Sequence, residues 1–172
     1  MVAASYILSF VAIVLGVIEP FGKKMRDVLI LNFLGNALVG MSYFFVSEKS
    51  GAIICFVACC QVIINYCFEI KEKRIPIWVI SLYALAFIVA NIIAFASWYD
   101  LLAFIASILY VLSIAQHNPG FYRVLYMANS AVWIAYDLFA KAYGNLITHI
   151  VLIVATITAI IVRDNKKIQR RE

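Results

Sequence analysis

Seven apolar runs, each long enough to form a helix, follow one another along the chain with short polar connections between them. The runs are residues 2–18, 28–46, 51–68, 75–97, 101–115, 121–140 and 145–162. A helix needs about 20 apolar residues to cross the hydrocarbon core of a bilayer. Seven crossings therefore use almost all of the 172 residues. The pattern predicts an all-α membrane protein with seven transmembrane helices and no separate soluble domain.

Composition supports the membrane prediction. The chain is 66% hydrophobic, with a mean hydropathy of +0.99, whereas soluble domains are about 45–50% apolar. We therefore expect the lipid bilayer to be the main partner of this chain. The net charge of +5 does not predict nucleic-acid binding, because the basic residues collect in the connections between spans and in a C-terminal tail. Such a tail is expected to lie on anionic lipid headgroups.

The basic residues are divided unequally between the two sides that seven alternating spans define. With the N-terminus outside, twelve of the fourteen lysines and arginines fall on the inner side. These twelve are Lys23, Lys24, Arg26, Lys71, Lys73, Arg74, Arg123, Arg163, Lys166, Lys167, Arg170 and Arg171. Only Lys49 and Lys141 remain outside. Because basic connections stay on the cytoplasmic side, this division predicts an outer N-terminus and a cytoplasmic C-terminus.

Three residue types recur at one fixed spacing, which indicates an internal duplication. The spacing is 93 residues for Asn36 and Asn129, for Tyr43 and Tyr136, and for Gly51 and Gly144. We expect a first three-helix unit at 1–70, a linker helix within 71–99, a second unit at 100–163 and a basic tail at 164–172. The single linker helix gives both units the same direction, so the prediction is a parallel 3+1+3 repeat with a binding site between the units.

Polar side chains within the spans are the candidates for that site, because they are costly in lipid unless they are paired or face a wet cavity. Helical spacing places Asn36 and Tyr43 on one face of the second helix, and Asn129, Trp133 and Tyr136 on one face of the sixth. Amides and aromatic rings at similar depth suit an uncharged polar ligand with an apolar face, such as a sugar or nucleoside. Hydrogen bonding between helices is the other interpretation of the two asparagines.

Further polar residues extend this picture. Gln61 and Asn65 lie one turn apart on the third helix and are added to the candidate site. Asp137 and Lys141 have the i, i+4 spacing of an ion pair, expected here at the membrane interface. His149, near the outer end of its span, is interpreted as a hydrogen-bonded packing residue, and a proton relay is the other interpretation. No Asp or Glu is predicted at the middle of a span, which argues against obligate proton coupling.

Motifs of enzymes and metalloproteins are not found in the sequence. There is no nucleophile–base pair, phosphate-binding loop or cluster of histidines and carboxylates, so we expect no catalytic residues, no metal and no cofactor. The four cysteines all lie on the third span, where small packing residues are the simplest interpretation. Gly51 and Gly144 follow tight turns, where glycine is expected to permit a positive φ.

Several short sequences resemble those of a known family. They are VIEPFGKKMR at 17–26, YFF at 43–45, SGA at 50–52 and KEKR at 71–74. The chain is similar to the bacterial inner-membrane YgjV family, and its 3+1+3 plan resembles the SWEET sugar transporters of the PQ-loop superfamily. This resemblance implies a location in the bacterial inner membrane and alternating access by rocking of the two units. Asn65 matches the asparagine that SWEET transporters place on the third helix of their first unit.

Two functions from different classes follow from these observations. The first is a facilitative membrane transporter for a small polar or amphipathic molecule. The second is a receptor or accessory subunit that does not transport and binds a partner within the bilayer. A polar cavity between the units favours transport, whereas a dry centre with a polar groove on the outside favours a partner. The substrate, the coupling ion and the oligomeric state are left open by the sequence.

Overall fold

The computed structural model describes residues 2–22, 24–114 and 119–168, and these ranges contain seven α-helices and no strand. The helices are α1 (Val2–Ile18), α2 (Met25–Phe45), α3 (Lys49–Ile70), α4 (Ile77–Ala94), α5 (Asp100–Ile114), α6 (Pro119–Ala140) and α7 (Tyr143–Ile168). A short 3₁₀ turn, Glu19–Phe21, joins α1 to α2. Helix α7 continues beyond the predicted end at 162, and Lys23 and residues 169–172 of the predicted tail lie outside the described ranges.

Five segments within the described ranges are long and apolar enough to cross a membrane. They are Ala3–Phe21, Met25–Phe45, Lys49–Ile70, Ile77–Ala94 and Tyr143–Val162. Helix α5 is apolar but has only 15 residues. Helix α6 has the length but carries Arg123, Asn129 and Asp137, all of which are buried against other helices. The polarity of α6 is therefore turned towards the protein and not towards lipid.

The helices form a closed bundle in which α2 and α6 each lie between two neighbours. Helix α2 packs on α1 and α3, α6 packs on α5 and α7, and α4 contacts α3 and α5. Helix α1 also packs along α7, which brings together the first and last helices of the chain. These two helices are parallel, because Ser9 lies beside Asn145 and Gly16 lies beside Leu152 further along both helices.

The two ends of the bundle differ in charge. We call the end at which α1 begins the N-terminal end; it also holds the turns at 46–48 and 141–142. The opposite end, which we call the basic end, carries the exposed or turn residues Lys24, Arg26, Lys71, Lys73 and Arg74. Large apolar side chains are exposed along the outward helix faces between these ends. A membrane-embedded bundle of this kind contacts the acyl chains of the bilayer with those faces.

Three helices end in left-handed residues that are not glycine. Ser47, Glu72 and Lys141 have φ of 65°, 51° and 56°. The residue after each of them donates its N–H to the carbonyl five residues earlier, as Ala142 does to Asp137 at 3.0 Å. This bond satisfies a backbone carbonyl in the last turn of the helix. The prediction that Gly51 and Gly144 adopt a positive φ is wrong, since no described glycine does so.

Candidate functional site

A cavity with both polar and apolar side chains in its wall lies at the centre of the bundle, enclosed by residues of all seven helices. Its volume is about 60 Å³. A water molecule needs about 10–15 Å³ measured in this way, so the space holds a few waters. Sites for drug-sized ligands start at about 300 Å³. The residues of the wall that bear on its chemistry are Asn36, Tyr43, Tyr110, Asn129, Trp133 and His149. The cavity in this conformation is therefore small, has room for a few waters, and carries amides and aromatic rings in its wall.

Asn36 and Asn129, which the sequence pairs at a spacing of 93 residues, are held differently on the cavity wall. The Nδ2 of Asn36 donates to the carbonyl of Asn32 at 2.9 Å and lies 3.4 Å from the hydroxyl of Tyr110 on α5. The Nδ2 of Asn129 donates to the carbonyl of Ala106, also on α5, at 2.7 Å. A backbone carbonyl can only accept, so these bonds fix which atom of each amide is nitrogen. The side-chain oxygens of Asn36 and Asn129 have no hydrogen-bond donor among the described residues.

A buried carboxylate closes the basic end of the cavity. Glu19, in the 3₁₀ turn after α1, is 3% exposed. Its Oε1 accepts hydrogen bonds from Asn32 Nδ2 at 2.9 Å and from the hydroxyl of Tyr122 at 2.8 Å. Tyr126 approaches Oε2 at 3.5 Å, and Tyr110 donates to Asn32 Oδ1 at 2.6 Å. This cluster joins the α1–α2 connection to α5 and α6 across the centre of the protein.

A second buried carboxylate lies near the N-terminal end, three residues before the end of α6. Asp137 is 0% exposed. Its Oδ1 accepts a hydrogen bond from the hydroxyl of Tyr43 at 2.5 Å, and its Oδ2 lies 2.8 Å from Nδ1 of His149. The predicted ion pair between Asp137 and Lys141 is wrong, because Lys141 is an exposed residue of the turn after α6 while Asp137 points inward.

Aromatic rings cover the cavity beside this carboxylate. Trp133 stacks on His149 with ring centroids 5.8 Å apart and planes 8° apart. The rings of Tyr43 and Trp133 lie 5.7 Å apart, and Tyr136 contacts both. All three of these rings are buried, and Tyr43 and Tyr136 are 0% exposed. They separate the cavity from the N-terminal end.

Tyr136 belongs to a polar chain that lies beyond the cavity. Its hydroxyl pairs with Ser50 Oγ at 2.6 Å and accepts from the N–H of Gly51 at 3.3 Å. Ser50 in turn donates to Oδ1 of Asp100 at 2.6 Å. The other oxygen of Asp100 accepts the N–H groups of residues 96 and 97 at 2.8 and 2.7 Å, before the start of α5. Tyr136 therefore links α6 to α3 directly and to α5 through Ser50.

Serines complete the closure at the N-terminal end. Ser42 on α2 bonds with Ser5 and Ser9 on α1, at 2.6 and 2.9 Å between oxygens. Ser9 also donates to Asn145 Oδ1 on α7 at 2.8 Å. Hydroxyls are small enough to let the three backbones approach while still satisfying one another. This network connects α2 to α7 through α1.

An apolar exterior and a polar interior are typical of a membrane bundle, and comparison with known proteins agrees. The model of the Imp-YgjV family, described as a bacterial inner membrane protein, matches residues 3–167. The chain belongs to this family. No curated protein and no solved structure matches it. With its several apolar helices, this Imp-YgjV protein is a multi-pass protein of the bacterial inner membrane.

Four of the seven predicted site residues lie on the cavity wall of this Imp-YgjV protein: Asn36, Tyr43, Asn129 and Trp133. Tyr136 is not on the cavity wall but packs against Tyr43 and Trp133. Gln61 and Asn65 are not brought to the cavity. Asn65 accepts a hydrogen bond from Tyr83 on α4 at 2.8 Å. The other amide atom of Asn65 and the oxygen of Gln61 are buried without a hydrogen-bond partner.

The sequence interpretation missed both carboxylates and their partners. The sequence pattern places Glu19 in a connection and Asp137 at the membrane interface, whereas both side chains are buried in the bundle. Each carries a signal, since a lone carboxylate within or next to a long apolar run is costly unless it is paired inside the protein. Within the described ranges, no three histidine, cysteine, aspartate or glutamate side chains converge as a metal site requires.

Proposed function

We propose that this protein transports a small polar or amphipathic solute across the inner membrane by alternating access between α1–α3 and α5–α7. The observation that carries the proposal is the polar cavity between these two groups of helices. Tyr43 and Trp133 cover it at the N-terminal end, and Glu19 and Tyr122 cover it at the basic end. A cavity closed at both ends by separable contacts is what a transporter has midway through its cycle.

The helix contacts support a division into two repeated units with α4 as the linker. Helix α2 is central to the first group as α6 is to the second. A two-fold axis between the two units relates α1 to α5 and α3 to α7. The same axis relates the contact between α1 and α7 to a contact between α5 and α3. Both contacts are present. Parallel repeats in transporters are related by an axis of this kind along the membrane normal.

The cavity chemistry favours a solute that donates hydrogen bonds. Asn36 and Asn129 offer side-chain oxygens from opposite units, and the rings of Tyr43 and Trp133 offer apolar surface nearby. Because the closed cavity holds only a few waters, a solute the size of a sugar or nucleoside requires the units to move apart. A smaller polyol or amine needs less movement.

Ligand binding tests this proposal. A thermal-shift screen of sugars, nucleosides, vitamins and amino acids on the purified protein should find a stabilising compound, because a ligand of the native state raises stability by mass action. Uptake of that compound into proteoliposomes should follow. We expect Asn36→Ala and Asn129→Ala each to abolish uptake and the ligand-induced shift while the protein stays folded.

Asn91→Ala is the matched control, since Asn91 is a buried amide on α4 that bonds to Phe87 and Ser107 and is not on the cavity wall. It should retain uptake. If Asn36 and Asn129 serve only to join helices, each replacement should cost about 0.6 kcal/mol, up to about 1.7, as in other membrane helices, with no specific loss of uptake. That result, or a screen with no ligand and a co-purifying membrane partner, would favour an accessory subunit.

We further propose that the basic end faces the cytoplasm, because twelve of the fourteen lysines and arginines then lie on that side. A reporter fused after Glu172 should be active only in the cytoplasm, and one fused before Met1 only outside it. Fusion within the turn at 71–76 is an internal control and should also report the cytoplasm. Two ends that report the same side would contradict both the seven crossings and the parallel repeat.

A further inference from the structure

The pair formed by Asp137 and His149 lies where the two units meet and where the cavity begins. Tyr43, on α2, donates to Asp137 across the boundary between the units at 2.5 Å. His149 is on the cavity wall, and its Nδ1 is engaged by Asp137. Its Nε2 is therefore the ring nitrogen that can exchange a proton with water in the cavity.

We propose that the Asp137–His149 pair takes up a proton from the central cavity, and that this proton keeps the N-terminal end of the bundle closed. Proton binding stands on the geometry of the pair alone. Its use as the coupling ion of a transport cycle rests on the function proposed above.

Charge balance gives the direction of the effect. Aspartate beside a neutral imidazole leaves one net negative charge in a site that is 0% exposed at the carboxylate. A proton added at Nε2 of His149 forms one N–H bond and makes the pair neutral overall, whichever of the two groups finally holds it. Burying net charge away from water is costly. The protonated pair therefore favours the closed arrangement, and loss of the proton favours separation of Tyr43 from Asp137 and entry of more water.

The surroundings of the pair suit this role. The indole of Trp133 is stacked face to face on the imidazole, and an aromatic face attracts a cation. The other titratable groups near the pair are Tyr43 on α2, Cys55 on α3 and Tyr136 on α6 itself, with Lys141 in the turn after α6. Glu19 lines the same cavity at its basic end. Lys141 is exposed, and on α5 the carboxylate of Asp100 is turned to Ser50. His149 is thus the group through which the carboxylate communicates with the cavity.

The stacked tryptophan provides a direct readout of protonation, because an imidazolium quenches the indole against which it lies. Trp78 and Trp98 are each 65% exposed, so replacing both with phenylalanine leaves Trp133 as the sole tryptophan. Emission of this variant in nanodiscs should fall as the pH is lowered from about 8 to about 5, the range in which histidine side chains generally change charge. His149→Gln should abolish the change, and Asp137→Asn should move its midpoint to lower pH.

Two control variants separate this titration from others in the chain. His117→Gln removes the other histidine. Glu48→Gln removes a carboxylate in the turn before α3, whose pKa is raised by burial and by the nearby Asp100. Both variants should keep the Trp133 titration. The proton site would be overturned if the Trp133 emission did not depend on pH. It would also be overturned if the pH dependence remained in the His149→Gln variant.

Closure is tested by chemical access to the cavity. Val39 lies on the cavity wall and is buried, so Val39→Cys, in a chain whose four cysteines are replaced by alanine, reacts with a membrane-impermeant thiol reagent only when the N-terminal end opens. The labelling rate of Val39→Cys is divided by the labelling rate of Lys49→Cys, an exposed position at the same end. This ratio removes the effect of pH on the reactivity of the thiol itself. The ratio should rise with pH, with the same midpoint as the Trp133 titration.

Asp137→Asn should keep the ratio low at high pH, because the carboxamide leaves the pair neutral without a proton. A ratio that does not change with pH would overturn the proposed closure. The Asn36→Ala variant separates this inference from the transport proposal, since it should lose uptake but keep both pH responses. Intact uptake with no Trp133 titration would count against the proton site alone, and a normal titration without any ligand or uptake would count against transport alone.

Discussion

Replacing Gly51 or Gly144 with leucine is expected to remove most of the folded protein from the membrane. A Cβ atom at Gly51 would lie 2.9 Å from ring carbons of Tyr43, and one at Gly144 would lie 2.8 Å from Ser9 Oγ. Tyr43 cannot move aside, because its ring is 0% exposed and its hydroxyl is held by Asp137. Overpacking of a filled core commonly costs about 1–3 kcal/mol for extra methylenes, and a whole leucine side chain at a backbone contact belongs at or above the upper end.

The measurement is the yield of monodisperse protein after extraction, followed by thermal unfolding. Gly35→Ala is the control, since a Cβ at Gly35 has no atom within 4 Å. Within a helix this change is expected to be neutral or to stabilise by about 0.5–1 kcal/mol. Normal yields of both leucine variants would show that the close approach of α3 to Tyr43 and of α7 to α1 is not required.

Glu19→Leu is expected to have the second large effect on stability. The change removes the acceptor for Asn32 Nδ2 and for the hydroxyl of Tyr122 at once. Each buried polar group left without a partner costs about 1–3 kcal/mol, so the combined loss is on the order of several kcal/mol. Glu19→Gln keeps one acceptor oxygen and should lose clearly less.

The comparison uses unfolding of the purified variants in one detergent at one pH. Glu72→Gln removes an exposed carboxylate from the turn after α3 and should change stability little. If Glu19→Leu were as stable as the natural protein, the cluster at the basic end would be a by-product of packing and not a requirement for it.

Helix positions were predictable from the sequence because apolar length decides them. The apolar run 101–115 corresponds to α5 at Asp100–Ile114, and the run 28–46 corresponds to α2 at Met25–Phe45. The differences arise at the ends, where helices continue into polar residues that hydropathy excludes. Asp27 in the first turn of α2 is an example, since an acidic residue is favourable at a helix N-terminus.

The candidate site was predictable only as far as helical periodicity extends. Spacing placed Asn36 with Tyr43 and Asn129 with Trp133, and all four line the cavity. The same local reasoning paired Asp137 with Lys141. The actual partners of Asp137 are Tyr43 on α2 and His149 on α7. Both are on other helices, and helical periodicity does not report such contacts. Partners across the bundle depend on tertiary packing, which one sequence does not display.

The packing of α1 along α7 has a consequence for how the protein is made. A chain is synthesised from its N-terminus, so α1 enters the membrane well before its neighbour α7. Until α7 arrives, Ser9 lacks Asn145 and Asp137 lacks His149. The arrival of α7 is therefore a late step that both closes the bundle and supplies these two missing polar partners. A chain that stops short of α7 displays unpaired polar groups to whatever machinery surveys unfinished membrane proteins.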